Sequence, residues 1–220
     1  MDFETAFSIR HAFGSLVGLR IAGQAPGEVL SQLEPAERKR ASSMAAGRAV
    51  LFAAGRTAAR RAAAGLGLGC AEIGVGPRGA PRFGPGLSGS ISHKRELAVA
   101  LVAQANGACL GVDAEPWEPA RPAIERLVLG AGERAEIAAL EGGLRWRELL
   151  LRFCFKEALF KALDRLLPAG CKLGFEQVRV RCGRDGSAAL QLPAQVGARI
   201  EARWWDLAGH AIACVRAKAP

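Results

Sequence analysis

Apolar and polar positions alternate with different periods in successive blocks of the chain, and each block predicts its own kind of element. The stretch LEPAERKRASSMAAGRAVLFAAGRTAARRAAAGLG is rich in Ala and Arg at helical spacing. It predicts a long helix starting near Pro35, where proline suits a first turn, and ending in the Gly65/Gly67/Gly69 cluster. Between 73 and 114 the pattern shortens to apolar runs, SISH, ELAVALVA and ACLGVDAE, set off by the Gly/Pro-rich GVGPRGAPRFGPGLSG, which predicts strands joined by tight turns. Residues 122–141 and 144–167 return to helical texture, the second carrying Leu149, Leu150, Phe153, Leu159, Phe160 and Leu163. Three further strands are predicted near 174–182, 187–191 and 199–216. Helix then strands, followed by helices then strands, predicts an α+β chain of two similar α/β halves, 1–110 and 111–220. That is a pseudo-two-fold plan, although no residue-level repeat defines it.

Composition sharpens this picture. With 220 residues, half of them hydrophobic, the chain can bury a core without staples, as one large domain or two small lobes. The six cysteines stand singly with no C-x-x-C, which excludes a zinc ribbon and a small disulfide framework. Neither a signal peptide nor an apolar run of membrane-spanning length is visible, so the sequence reads as a cytoplasmic protein with reduced thiols. The net charge of +9 calls for an anionic partner. It is unevenly spread: residues 34–61 carry +5 and 142–220 carry +7, flanking a segment 111–141 at −4.

Candidate chemistry falls in those same segments. In Gly111-Val112-Asp113-Ala114-Glu115 an apolar strand ends in two carboxylates at i and i+2. They share one face about 6.5 Å apart along the strand and offer hard oxygen donors suited to Mg²⁺ and a substrate phosphate. An exposed acidic pair at a strand exit is the plain alternative. In LLLRFCFKEALFKALDRLL, Glu157 and Lys161 stand at i, i+4 and could simply be a surface pair, but Phe153, Ala158 and Phe160 set Lys156, Glu157 and Lys161 at the edge of an apolar stripe. Arg48, Phe52, Arg56 and Arg60 recur every four residues, a solvated face or an anion-holding one. His93 follows Gly89-Ser90-Ile91-Ser92 and suits an anion donor better than a base for serine, because the G-x-S-x-G spacing is absent. The glycines at 65, 67 and 69 follow a helix and lack the dinucleotide-binding spacing.

Taken together, five stretches resemble the 4′-phosphopantetheinyl transferases, in their Sfp-like, enterobactin-synthase-component-D-like branch. They are Leu33 to Arg38, Ala54-Gly55-Arg56, Arg78 to Pro81 ahead of Gly89 to His93, Gly111 to Glu115, and Lys156 to Lys161, in the family's order. The resemblance implies one catalytic unit with its active site at the junction of the two halves. It implies transfer of the phosphopantetheine arm of coenzyme A to a serine of an apo carrier protein of acidic character, releasing adenosine 3′,5′-bisphosphate. It also implies Asp113, Glu115 and Glu157 as Mg²⁺ ligands, Lys161 and Lys156 near the pyrophosphate, and Arg48, Arg56, Arg78, Ser92 and His93 toward the 3′-phosphate and adenine. The serine's proton would go to Glu157 through a water or to Lys156. A monomer serving siderophore, nonribosomal peptide or polyketide synthesis is the corresponding expectation.

Two positions depart from the family pattern: Phe153-Cys154-Phe155 ahead of Lys156-Glu157, and Ala114 between the carboxylates. Two rival readings are a basic nucleic-acid-binding protein and an inactive carrier-binding scaffold of the same fold. The first leaves five ordered motifs unexplained and finds few aromatic platforms, since only 6% of residues are aromatic and none is tyrosine. The second is opposed by the intact carboxylates.

Overall fold

The computed structural model describes residues 2–76, 78–118, 124–167 and 173–219. The chain packs as two compact units, Met1–Asn106 and Gly107–Pro220. A division after residue 110, as expected from sequence, would cut a strand.

The first unit runs β1 (Thr5–His11), β2 (Gly14–Arg20), α1 (Pro26–Leu30), α2 (Pro35–Ala41), α3 (Ala46–Ala64), β3 (Gly74–Val75), β4 (Pro81–Arg82), β5 (Leu87–Lys94) and β6 (Leu97–Gln104). Its main sheet is antiparallel in the order β1-β2-β6-β5. The hairpin β1–β2 is absent from the sequence reading. Gly14 closes its turn at φ 138°, where a Cβ would lie 2.2 Å from the Val102 carbonyl oxygen, so no side chain fits.

The single long helix expected from Pro35 is two helices. Ser42 and Ser43 follow α2, and their hydroxyls donate back to the Lys39 and Arg40 carbonyls at 2.8 Å each, a local bonding pattern that competes with helix continuation. The alanines of α3 are its packing surface: Ala53, Ala58, Ala59, Ala62 and Ala63 are fully buried against Val17, Leu19, Ala98, Ala100 and Val102. Small side chains let the helix lie close to the sheet, and a Cβ on Gly55 would meet Ile91 Cγ2 at 2.7 Å.

The second unit runs β7 (Cys109–Pro116), α4 (Ile124–Val128), α5 (Ala131–Ala138), α6 (Gly142–Leu163), a 3-10 turn (Phe175–Gln177), β8 (Arg179–Cys182), β9 (Ser187–Gln191), β10 (Arg199–Leu207) and β11 (His210–Lys218). Its sheet order is β7-β11-β10-β9-β8. The tail expected as one strand over 199–216 is a hairpin, turning at Ala208 and Gly209 with φ 51° and 76°. The helical texture over 122–141 resolves into α4 and α5, with residues 122–123 outside the described ones.

The two units share a plan. In each, a strand (β2 or β7) leads through two short helices to a long one (α3 or α6), and then to a hairpin whose last strand pairs back onto the first. No helix among the described residues is long and apolar enough to cross a membrane. The five described cysteines are all free thiols, and Cys171 lies outside the described residues.

Candidate active site

Strand alternation puts Gly111, Asp113 and Glu115 on the face of β7 that α6 covers. The contact is closest at Gly111, where a Cβ would fall 1.8 Å from the Ala158 carbonyl oxygen. This approach is possible only for glycine, and it fixes which turns of α6 face the carboxylates. Asp113 and Glu115 are buried, at 5% and 7% exposure. Lys161 reaches back from α6 and donates to Asp113 Oδ1 at 2.7 Å and to the Val112 carbonyl at 3.0 Å. One turn nearer the N-terminus, Glu157 is half-buried on the same side as Lys161.

Cys154, two turns from Lys161, is fully buried and donates to the Ala211 carbonyl at 3.4 Å. Burial raises its thiol well above the ordinary range, and the carboxylate of Asp113 adds to the rise. The departure from the family pattern at this position therefore places a neutral, inert thiol beneath the carboxylates.

The structure thus brings Asp113, Glu115 and Lys161 to one face of β7, with Glu157 on the facing side of α6. Among the described residues, no three His, Cys, Asp or Glu side chains are gathered closely enough to close around a metal ion. The donor set still suits a hard divalent cation in chemistry. All the donors are carboxylate oxygens, two of them buried, and a positive group, the Lys161 ammonium, already sits at Asp113.

Lys156 has a different setting. It is wholly buried, and its ammonium donates to the Val128 carbonyl at 2.8 Å, to the Phe175 carbonyl at 2.9 Å and to Glu133 Oε2. Burial pulls its pKa down from the usual lysine range, and the hydrogen bond it donates to Glu133 pulls it back. Glu133, 2% exposed, also accepts the backbone N–H of Val180 at 2.8 Å and of Gly130 at 3.2 Å. Buried Arg152 joins the group, pairing with Glu148, with Glu136 at 3.5 Å and with Glu133 at 3.7 Å. Sequence reasoning did not single out Glu133, which looks like one of several acids on a polar helix.

In the first unit, Arg56 is not part of a solvated face. It is 6% exposed, its guanidinium lies 4.0 Å from the centre of the Phe52 ring, and its buried Nε and Nη2 have no hydrogen-bond partner. Desolvation lowers its pKa to about 10, so it keeps its charge at pH 7. Arg60, the next residue of the stripe, pairs with buried Glu37. His93 is exposed on the face of β5 that carries Ile91, the side on which α3 packs, whereas Ser92 is buried on the opposite face. Arg48 and Arg78 are exposed, Arg48 on the first turn of α3 and Arg78 in the turn between β3 and β4.

The chain is similar to known proteins in both of its units. Residues 34–103 match the 4′-phosphopantetheinyl transferase N-terminal domain, and residues 109–215 match the 4′-phosphopantetheinyl transferase superfamily. The 4′-phosphopantetheinyl transferase Svp of Streptomyces mobaraensis is 33% identical over 208 residues, covering 89% of this chain and 83% of that protein. The 4′-phosphopantetheinyl transferase Npt of Nocardia iowensis is 35% identical over 139 residues, covering 62% of this chain and 61% of that protein. A crystal structure of a holo-(acyl-carrier-protein) synthase from Bacillus anthracis str. Ames aligns over 50% of this chain and 96% of its own, with a TM-score of 0.40 at 21% identity. By the two domain matches and the similarity to Svp, in both units and along most of its length, the chain belongs to the 4′-phosphopantetheinyl transferase superfamily, in its Sfp-like branch.

Proposed function

We propose that the protein moves the 4′-phosphopantetheine group of coenzyme A onto a serine of an apo carrier protein and releases adenosine 3′,5′-bisphosphate. The observation that carries this reading is the β7–α6 array: two buried carboxylates on one strand face, with a lysine ammonium at the first of them. The serine oxygen attacks the pantetheine-side phosphorus of the pyrophosphate, and the bond from that phosphorus to the bridging oxygen breaks. The nucleotide leaves with the electron pair. Lys161, whose side chain is 30% exposed, would face the pyrophosphate and offset the charge that grows on the leaving oxygen.

Half-buried Glu157 is the group suited to take the serine proton through a water. Lys156 is not, because its ammonium is committed to three acceptors and holds no free lone pair. Asp113, Glu115 and Glu157 would hold Mg²⁺, which supplies positive charge for the pyrophosphate when bound. Arg56 offers two unpartnered buried N–H donors to the 3′-phosphate of coenzyme A, with Arg48, Arg78, Ser92 and His93 completing the nucleotide end.

The test mixes purified protein, Mg²⁺, coenzyme A and a panel of apo carriers from siderophore, nonribosomal peptide, polyketide and fatty-acid systems, and weighs the carriers by mass spectrometry. A gain equal to the phosphopantetheine arm is expected on at least one carrier, and Asp113→Ala should abolish it. No gain on any carrier overturns the reading.

A further inference from the structure

The two units carry the same bonding pattern around one buried glutamate each. In the first, Leu33-Glu34-Pro35-Ala36-Glu37-Arg38 opens α2; in the second, Leu129-Gly130-Ala131-Gly132-Glu133-Arg134 opens α5. Both leucines are buried, at 2% and 0% exposure, as are both glutamates, at 3% and 2%. Glu37 Oε2 accepts the Glu34 N–H at 3.2 Å, and Glu133 Oε2 accepts the Gly130 N–H at 3.2 Å. Glu37 Oε1 accepts the Ile73 N–H at 2.8 Å, and Glu133 Oε1 the Val180 N–H at 2.8 Å. Arg38 donates to the Leu33 carbonyl and Arg134 to the Leu129 carbonyl.

The cation on each glutamate comes from the long helix, 23 residues further along in both units: Arg60 in the first, Lys156 in the second. One turn earlier each helix carries a buried arginine, Arg56 at 6% exposure and Arg152 at 5%. Each glutamate thus ties together the start of a short helix, the long helix and the strand region that follows it.

Only the second unit pairs this clamp with carboxylates on the strand that leads into its helices. Along β2 the residues are Gly-Ser-Leu-Val-Gly-Leu-Arg, with no acid among them. A cluster built the same way in a unit that lacks the acidic strand is architecture, and its lysine inherits that role. On α6, Lys156 points to the α4, α5 and 3-10 turn side, while Gly111 and Asp113 hold the side that carries Ala158 and Lys161.

We propose that Lys156 is a positioning residue: with Glu133 it forms the second copy of a buried clamp that sets the rotation of α6, and hence the presentation of Glu157 and Lys161, and it exchanges no proton with substrate. The part of this that concerns catalysis rests on the transferase reading.

The experiment is a double-mutant cycle on the full chain with Lys156→Met, Glu133→Gln and both together, plus Lys156→Arg, which copies the first unit. Steady-state transfer to a carrier, its pH dependence and thermal unfolding are measured for each. Lys156→Met leaves buried Glu133 with only the Arg152 guanidinium, 3.7 Å away, and should lower both melting temperature and kcat, the latter by about 100-fold for an α6 displaced on the order of 1 Å. KM for coenzyme A should change far less.

The double variant, which buries no unpaired charge, should recover most of the melting temperature and most of kcat, with the wild-type pH–rate profile, and Lys156→Arg should retain activity above Lys156→Met. A double variant that regains the wild-type melting temperature but stays about 100-fold slow, or loses one limb of the pH–rate profile, makes the lysine a chemical participant and overturns the proposal. Lys156→Met with wild-type melting temperature and kcat also overturns it. If the wild-type protein transfers nothing to any carrier, the transferase reading falls, and the clamp is judged on unfolding alone: strongly non-additive shifts uphold it, and additive ones overturn it.

Discussion

Replacing Gly111 by alanine tests the placement of α6 on β7 directly. The added Cβ would stand 1.8 Å from the Ala158 carbonyl oxygen, 2.8 Å from its carbon and 2.9 Å from the Ala162 nitrogen. All three are helix backbone, so no side chain can turn aside, and relief requires α6 to move off the strand by more than 1 Å. Overpacking that shifts backbone costs about 1–3 kcal/mol, and a clash with main chain belongs at the upper end.

At roughly 2–4 °C per kcal/mol for a chain of this size, the melting temperature should fall by about 6–12 °C. The move would also lengthen the Lys161–Asp113 bond, now 2.7 Å, so transfer activity should fall about 100-fold even where the protein remains folded. Gly47→Ala is the control: it lies in α3 with nothing within 4 Å of its added Cβ, and there the substitution should stabilise by about 0.4–1 kcal/mol. Scanning calorimetry and the carrier mass assay on both variants decide the matter. A Gly111→Ala protein that melts with the wild type would show that the helix does not rest on the strand at this point.

Three further outcomes are expected. Arg56→Met removes a buried cation whose Nε and Nη2 lack partners, so the melting temperature should hold or rise while KM for coenzyme A climbs roughly 10–100-fold; an unchanged KM would detach Arg56 from the nucleotide. Lys161→Ala should lower kcat by about 100-fold with a smaller effect on KM for the carrier, and a wild-type kcat would remove Lys161 from the chemistry. Native iodoacetamide labelling at pH 8, mapped by peptide mass, should leave Cys154 and Cys214 unmodified, because burial holds both thiols above their ordinary range and the reactive thiolate appears only at higher pH; rapid labelling of either would contradict the packing of α6 and β11.

The features legible in the sequence are those that leave a local chemical trace. Asp113 and Glu115 announce a shared face by the two-residue period of a strand, and Lys161 announces its side of α6 by helical spacing from Glu157. The hairpin β1–β2 left no such trace, because β1 is an edge strand whose residues are all exposed or half-buried, so its apolar positions do not alternate cleanly. Arg56 was unreadable for another reason: an arginine stripe has the same spacing whether it faces water or lies under a phenylalanine ring, and only packing separates the two.

The repeat was hidden differently again. Its signature, leucine and a glutamate–arginine pair at fixed spacing, occurs once in each unit. Composition masks it, since the first copy begins a strongly basic segment and the second lies in the acidic one. What the two copies share is the bonding around one buried carboxylate, while the cation differs, an arginine in the first and a lysine in the second. The two units differ on the strand that leads into their helices: β7 carries Asp113 and Glu115, and its Gly111 lets α6 come down beside them, whereas β2 carries no acid. On the proposed reading, then, stability and chemistry fall to different residues of the same helix: Lys156, bonded to Glu133, would hold it, and Lys161, bonded to Asp113, would work from it. A substitution at either should be separable by whether unfolding or turnover changes first.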